Sequence, residues 1–186
     1  MLVSVAYIIT HGNYLVFGTV LSVLFSRDFD PAALGILGVS ANVASILGGY
    51  LMGWFIDRTH KYMFGLKLVL VGLCITHVIG VFLAPLGILW LVCVLGAFLG
   101  FFMQAMMPVS FAYSVKIAPE VTPSVANGLM LTGLHIYGFM MNYIVAFFAK
   151  MSETAGLTCF CVTIFVATIC IFCIKQEPLV SIEEDT

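Results

Sequence analysis

Six apolar stretches follow one another along this 186-residue chain and constrain its fold more than any other feature. A helix that crosses a bilayer needs about 20 mainly apolar residues. The stretches cover residues 3–26, 32–56, 64–84, 87–115, 125–149 and 157–174. Hydrophobic residues make up 62% of the chain and charged residues 9%, whereas soluble domains carry about 25% charged residues. The sequence therefore predicts an all-α integral membrane protein, with a six-helix transmembrane bundle over residues 1–174.

The basic residues are unequally divided between the two ends of these stretches, and this predicts an orientation. If the first helix begins in the cytoplasm, five basic residues face the cytoplasm and two face the other side. These are Arg58, Lys61, Lys67, Lys116 and Lys175 against Arg27 and Lys150. Basic residues concentrate on the cytoplasmic side of membrane proteins. We therefore expect both termini, and a tail over residues 175–186, in the cytoplasm. Plasma membrane is the default location, and an organelle membrane stays open.

Net charge and cysteine placement limit the partners and cofactors. A net charge of −2 without a Lys/Arg run gives no basis for nucleic-acid binding, so the partner is the lipid bilayer. All six cysteines fall inside apolar stretches, including the Cys170-Ile-Phe-Cys173 pair. A redox or zinc site needs solvent access and further ligands. We therefore expect packing cysteines, no metal and no cofactor.

The residues of known enzyme motifs are also missing from the sequence. There is no GxSxG, HExxH or phosphate-binding glycine loop, and no carboxylate lies within an apolar stretch to pair with a histidine. The sequence therefore gives no support to an enzymatic function.

The stretch "GWFIDRTHKY", residues 53–62, gathers charges at the end of the second apolar run. Its order of glycine, three apolar residues, Asp-Arg and a further basic residue resembles the loop signature of the major facilitator superfamily. That resemblance implies that Gly53 allows close helix approach. It also implies that Asp57, Arg58 and Lys61 form a gating charge network in an alternating-access cycle. The alternative is that Arg58 and Lys61 only anchor the helix end at the cytoplasmic surface.

Residues 99–139 make the resemblance more specific, because they match the pattern of one family within this superfamily. They carry an LGFFM start, a mid-helix proline, a Pro-Glu loop and a Gly-Leu helix opening, and "YIITHGNY" lies earlier in the chain. The positions are Leu99–Met103, Pro108, Pro119-Glu120, Gly128-Leu129 and 7–14. This pattern is similar to the C-terminal half of the feline leukaemia virus subgroup C receptor-related (FLVCR) family, which transports haem and choline. The resemblance implies six helices that form the C-terminal half of a major facilitator superfamily fold, helices seven to twelve. The partner would be a missing N-terminal six-helix half or a partner copy.

Small residues recur at helical spacing in two of the stretches and predict close helix packing. They are Gly96 and Gly100 in one stretch, and Gly38, Ala41, Ser45 and Gly48 in another.

Polar side chains near the middle of apolar stretches are the candidate binding residues, because such groups are costly in lipid and usually face a cavity. Tyr7, His11, Tyr14 and Gly18 share one face of the first helix. Thr132, His135 and Asn142 share a broad arc of the fifth, with Tyr137 nearby. The candidate substrate-binding residues are Tyr14, His135, His11, Tyr7, Gln104, Thr132 and Asn142.

The family resemblance also implies a substrate. In that family an aromatic residue of the seventh helix and a glutamine of the eleventh hold a quaternary ammonium, which cation–π attraction explains. Here Tyr14-Leu15 stand where the family has two aromatics, and His135 stands where it has the glutamine. The family's acidic residues at the end of the tenth helix are replaced by Ala112 and Lys116.

Several functions stay open at this point. The resemblance implies a transporter that moves a small organic solute, choline/ethanolamine or haem, by alternating access. His11 and His135 are suited to ligating haem iron or relaying protons, unless each only bonds a neighbouring helix. The alternative function is a half-size scaffold or partner subunit with no transport activity of its own.

Overall fold

Six long helices account for most of the chain in a computed structural model that describes residues 2–25, 28–117 and 120–174. The helices are α1 (Leu2–Phe25), α2 (Pro31–Thr59), α3 (Tyr62–Leu83), α4 (Leu89–Ile117), α5 (Pro123–Met151) and α6 (Glu153–Phe172). All six are long and apolar enough to cross a membrane. The predicted all-α, multi-pass membrane protein is thereby confirmed. Arg27, Pro119, Lys175 and the rest of the predicted tail lie outside the described residues.

Local chemistry sets the ends of the helices. The carboxylate of Asp30 accepts a hydrogen bond of 2.8 Å from the backbone N–H of Ala33, and Pro31 follows it at the first helical position. His60 ends α2 in the left-handed conformation, with φ of 51°, and its N–H bonds the carbonyl of Ile56 at 2.8 Å. A 3₁₀ turn at Ala84–Leu86 follows α3. These helix ends coincide with polar or proline residues, which interrupt the apolar runs that form the helices.

Two helices, α1 and α4, lie at the centre of the bundle. α1 contacts α4, α5 and α6, while α4 contacts α2 and α3 as well. The contacts of the first three helices are repeated by the last three. The packing of α2 on α4 matches that of α5 on α1, and the packing of α3 on α4 matches that of α6 on α1. This is the pattern expected of two three-helix repeats within one six-helix unit. It leaves α2 and α5 as the flanking helices.

Glycines bring α2 and α4 into close contact. A Cβ atom added to Gly48 would overlap the backbone of Phe101, and one added to Gly100 would overlap the backbone of Ala41. The predicted packing of small residues is confirmed at these positions. The prediction is wrong at Gly38, which has no atom within 4 Å of an added Cβ.

Large apolar side chains cover the outside of the bundle as well as its core. Leu66, Leu70 and Ile164 are fully buried between helices, whereas Ile46 and Trp90 are about as exposed as side chains on a soluble protein's polar surface, at 71% and 68%. Lipid is the solvent that favours such a surface. Exposed polar groups near the middle of a helix depart from this apolar surface, and they therefore indicate the candidate binding site.

Candidate functional site

Three rings of α1 lie next to one another along the helix. The Tyr7 and His11 rings stack at 5.3 Å between centroids and 12° between planes, and His11 and Tyr14 are 5.8 Å apart. Tyr7 also contacts Phe111 of α4 at 5.3 Å. Tyr7 and His11 are buried, and Tyr14 is half-buried. We call these four residues, Phe111, Tyr7, His11 and Tyr14, the ring column.

The hydroxyl of Tyr14 joins α1 to α2. It donates to Oδ1 of Asn42 at 3.0 Å, and Oγ of Ser45 lies 3.5 Å away. Asn42 is itself held by its amide, which donates to the carbonyl of Gly38 at 2.8 Å. Asn42 is exposed although it lies near the middle of α2. The Tyr14 phenol is therefore held beside the exposed amide of Asn42, near the middle of α2.

A groove of about 220 Å³ lies between α1 and α5. The lining residues are Leu15, Val16, Thr19, His135, Gly138, Phe139 and Asn142. His135 is exposed, and its Nδ1 lies 2.7 Å from the carbonyl oxygen of Leu131. A carbonyl oxygen only accepts, so this bond places a proton on Nδ1 and leaves Nε2 of the neutral ring as an acceptor. The groove thus offers one imidazole acceptor.

Thr19 and Asn142 meet across the groove. The Thr19 hydroxyl lies 3.1 Å from Oδ1 of Asn142 and 2.9 Å from the carbonyl of Val16. One hydroxyl proton cannot satisfy both acceptors at once, so the Asn142 oxygen retains capacity for a further donor. Thr19 is not among the binding residues predicted from the sequence. Its only signal was a hydroxyl within an apolar stretch.

Two predicted binding residues, Thr132 and Gln104, lie in neither the groove nor the ring column. Thr132 is exposed on α5, and its hydroxyl donates to the carbonyl of Gly128 at 2.9 Å. Gln104 of α4 faces α2, since a Cβ on Gly49 would lie 3.2 Å from its Cγ, and its amide lies 3.6 Å from the sulfur of Met107. The structure therefore brings together His135 and Asn142 in the groove, but not Thr132 or Gln104.

A buried amide that the sequence analysis missed links three helices. Asn13 is fully buried; its amide donates to Thr163 of α6 at 2.8 Å, and its oxygen accepts from the Tyr137 hydroxyl of α5 at 3.0 Å. The sequence did contain a signal for Asn13, because an asparagine within an apolar stretch is costly in lipid unless it has a hydrogen-bond partner. This network holds α5 in place at Tyr137, which is two residues from His135.

The predicted gating residues lie together at the end of α2. Asp57, Arg58 and Lys61 are exposed, and the Arg58 guanidinium lies 5.4 Å above the Trp54 ring. Within the described residues, Asp57 forms no ion pair with either base. Gly53 faces α4, where an added Cβ would lie 4.0 Å from Pro108.

The charges available to a ligand are few. Away from their first and last turns, the described helices contain no carboxylate. No group of three His, Cys, Asp or Glu residues suited to a metal ion occurs in the part of the chain that the structure describes. The groove and ring column thus offer aromatic faces, hydroxyl and amide oxygens and two imidazoles, those of His11 and His135. Such groups suit a small polar or cationic solute.

Comparison with known proteins gives two kinds of likeness. The model of the Major Facilitator Superfamily matches residues 3–183. The chain is 23% identical over 144 residues to the human choline/ethanolamine transporter FLVCR2, covering 76% of this chain and 27% of that protein. It is 23% identical over 180 residues to flvcr2a of Danio rerio, covering 95% of this chain and 38% of that protein. For FLVCR1 of Felis catus the identity is 26% over 180 residues, covering 95% and 32%. The chain thus spans about a third of the length of these curated relatives.

Proposed function

The chain belongs to the Major Facilitator Superfamily, and from this premise we propose that it is a six-helix half of a transporter that moves a small organic solute by alternating access. In such transporters the substrate site lies near the midplane of the bilayer, at the interface of two repeats. The chain corresponds in this proposal to the C-terminal half, helices seven to twelve.

The observation that carries the proposal is the set of three polar side chains in the groove between α1 and α5. Thr19, His135 and Asn142 present a hydroxyl, an imidazole and an amide in this groove, beside the apolar side chains of its other lining residues. Polar groups at this depth are costly against lipid and typically face a water-filled or substrate cavity. A transport pathway accounts for all three at once.

Choline or ethanolamine is the proposed substrate. The relatives in the comparison are choline/ethanolamine transporters by name. An ammonium group is attracted to an aromatic face, which Tyr14 supplies. The hydroxyl of either solute is a donor suited to Nε2 of His135 or Oδ1 of Asn142. These residues, with Tyr7 and His11, form the proposed substrate pathway, whereas Gln104 and Thr132 lie in neither the groove nor the ring column.

Haem is the second candidate substrate. Imidazole is a common axial ligand of haem iron, and the chain has His11 on α1 and His135 on α5. His11 is 9% exposed and stacked on Tyr7, so it meets iron only after the ring column opens. This favours the smaller organic cation over haem in the conformation described.

A second six-helix unit would complete the pathway. The groove is open on one side of the bundle, and the chain spans about a third of its relatives' length. We propose an N-terminal half or a second copy as the partner across this face, with the lipid bilayer around the remainder. We also propose that both termini lie in the cytoplasm, with the plasma membrane as the default location.

The end of α2 would serve as the latch between the two units. Asp57, Arg58 and Lys61 are exposed and close in sequence, so they are available to pair with the second unit in one state of the cycle. Gly53 would allow α4 to approach at this end.

Uptake of labelled solute tests the proposal. Cells deficient in choline and ethanolamine uptake would express the chain alone, the chain with the N-terminal half of an FLVCR relative, or neither. We expect uptake of choline or ethanolamine above the empty control in at least one of the first two. Absence of uptake in both, with the chain present in the membrane and co-purifying with another membrane protein, would favour the partner-subunit alternative.

A further inference from the structure

The inner part of the ring column contains polar atoms without partners. Oη of Tyr7 and Nδ1 of His11 are buried, and neither has a hydrogen-bond partner among the described residues. The Tyr7 side chain is fully buried and that of His11 is 9% exposed. A buried donor or acceptor without a partner costs free energy, so each such group calls for an explanation. Packing alone would be served better by apolar rings.

These atoms lie on the same line of rings as Tyr14. Centroids are separated by 5.8 Å from Tyr14 to His11 and by 5.3 Å from His11 to Tyr7. Seven residues along a helix correspond to about 10 Å, so Tyr7 lies roughly that distance from Tyr14 along α1. In this direction from Tyr14 the next rings are the imidazole of His11 and the phenol of Tyr7, and no carboxylate lies in the interior turns of the described helices.

Phe111 contacts this end of the column and lies three residues after a proline within α4. Its ring contacts Tyr7 at 5.3 Å and 51°. Pro108, three residues earlier in α4, lacks the N–H that would bond the Gln104 carbonyl, so the helix is weakened there. Gly53 faces Pro108 with no side chain of its own. Bending of α4 at Pro108 would therefore carry Phe111 away from Tyr7.

We propose that Tyr7 and His11 form a second binding station for an organic ammonium ion, closed by Phe111 in this conformation and opened by bending of α4 at Pro108. The station rests on the proposed transport function and adds to it a position beyond the groove. When it opens, the Tyr7 ring receives the ammonium group, and the Tyr7 hydroxyl and His11 Nδ1 gain partners from water or from the solute's hydroxyl.

Thiol labelling at position 111 tests the station. A Phe111→Cys variant, in a background with all six native cysteines replaced by alanine, would be treated with a methanethiosulfonate that carries a trimethylammonium group or with neutral methyl methanethiosulfonate. We expect Tyr7→Leu to lower the rate of the cationic reagent about fivefold relative to the neutral one, because the cation–π contact is lost. Tyr7→Phe, which keeps the ring, should leave the ratio unchanged. A ratio that Tyr7→Leu does not change would overturn the proposal.

A second readout keeps Tyr7 native and does not depend on how the leucine variant folds. Tetramethylammonium should slow the reaction of the neutral reagent with the thiol at position 111. It should have no effect on a Thr158→Cys variant, whose exposed position lies on α6 away from the column. Equal protection at both positions, or none at position 111, would contradict the station. Because labelling requires no transport, a chain that fails to move choline would refute the proposed function while these rates still report on the station.

Discussion

The phenol of Tyr137 on α5 donates a hydrogen bond of 3.0 Å to the buried amide oxygen of Asn13 on α1. The same asparagine donates to Thr163 on α6 at 2.8 Å. The Tyr137 ring also lies against Gly12, where it occupies the space that a Cβ would need. Since Tyr14 and His135 lie one and two residues from this junction, its geometry fixes how the candidate site's two helices face each other.

Removal of the Tyr137 hydroxyl should destabilise the bundle. Tyr137→Phe leaves the Asn13 oxygen buried without its donor, at a cost of about 1 kcal/mol in the free energy of unfolding. Thermal unfolding of the purified protein in detergent would show a lower midpoint. Tyr143→Phe is the matched control, because Tyr143 is 66% exposed on the same helix. Equal midpoints for the two variants would argue against a structural role for the bond.

The contact between α2 and α4 should not tolerate a methyl group. In Gly100→Ala the added Cβ meets the backbone of Ala41, which cannot move without shifting α2. Overpacking of this kind costs about 1–3 kcal/mol. Gly38→Ala, with nothing within 4 Å of its Cβ, should be neutral or more stable by up to about 1 kcal/mol through helix propensity. Unfolding midpoints would compare the pair, and a Gly100→Ala protein as stable as wild type would show that the helices are less tightly packed than described.

Loss of the Asp57 charge should slow transport without affecting the fold. Asp57 is exposed, so Asp57→Asn should leave the unfolding midpoint unchanged. An exposed ion pair with the second unit contributes about 1 kcal/mol, and its loss should lower the maximal uptake rate about fivefold. Asp30→Asn is the control, because asparagine caps the start of α2 as well as aspartate does. Uptake by Asp57→Asn at the wild-type rate would show that Asp57 does not act as a latch between the two units.

The number and type of the helices could be predicted from the sequence because the length of an apolar run is a local property. The helix ends were less predictable. α6 begins at Glu153, ahead of its apolar stretch, and α5 extends to Met151. Beyond the hydrocarbon region a helix can continue through polar residues, so hydropathy loses its information there. The repeat of α1–α3 by α4–α6 is visible in the packing and not in the sequence.

For the site, the sequence predicts which side chains share a face of one helix but not which side chains of different helices contact each other. The contact of the rings of α1 follows from spacings of three and four residues. By contrast, the Asn142 contact with Thr19 depends on how α5 lies against α1, which no local pattern specifies. Thr132 shares an arc with His135, yet its hydroxyl bonds its own helix.

Saturation binding of radiolabelled choline to membranes that contain the chain tests most directly whether the groove is the substrate site. The wild-type protein and Thr158→Ala, altered at an exposed hydroxyl on α6, should bind with the same Kd. His135→Ala removes the imidazole acceptor of the groove, so its Kd should rise about tenfold, the equivalent of one hydrogen bond of about 1.4 kcal/mol. A His135→Ala protein that binds choline with the wild-type Kd would show that the solute does not occupy the groove between α1 and α5.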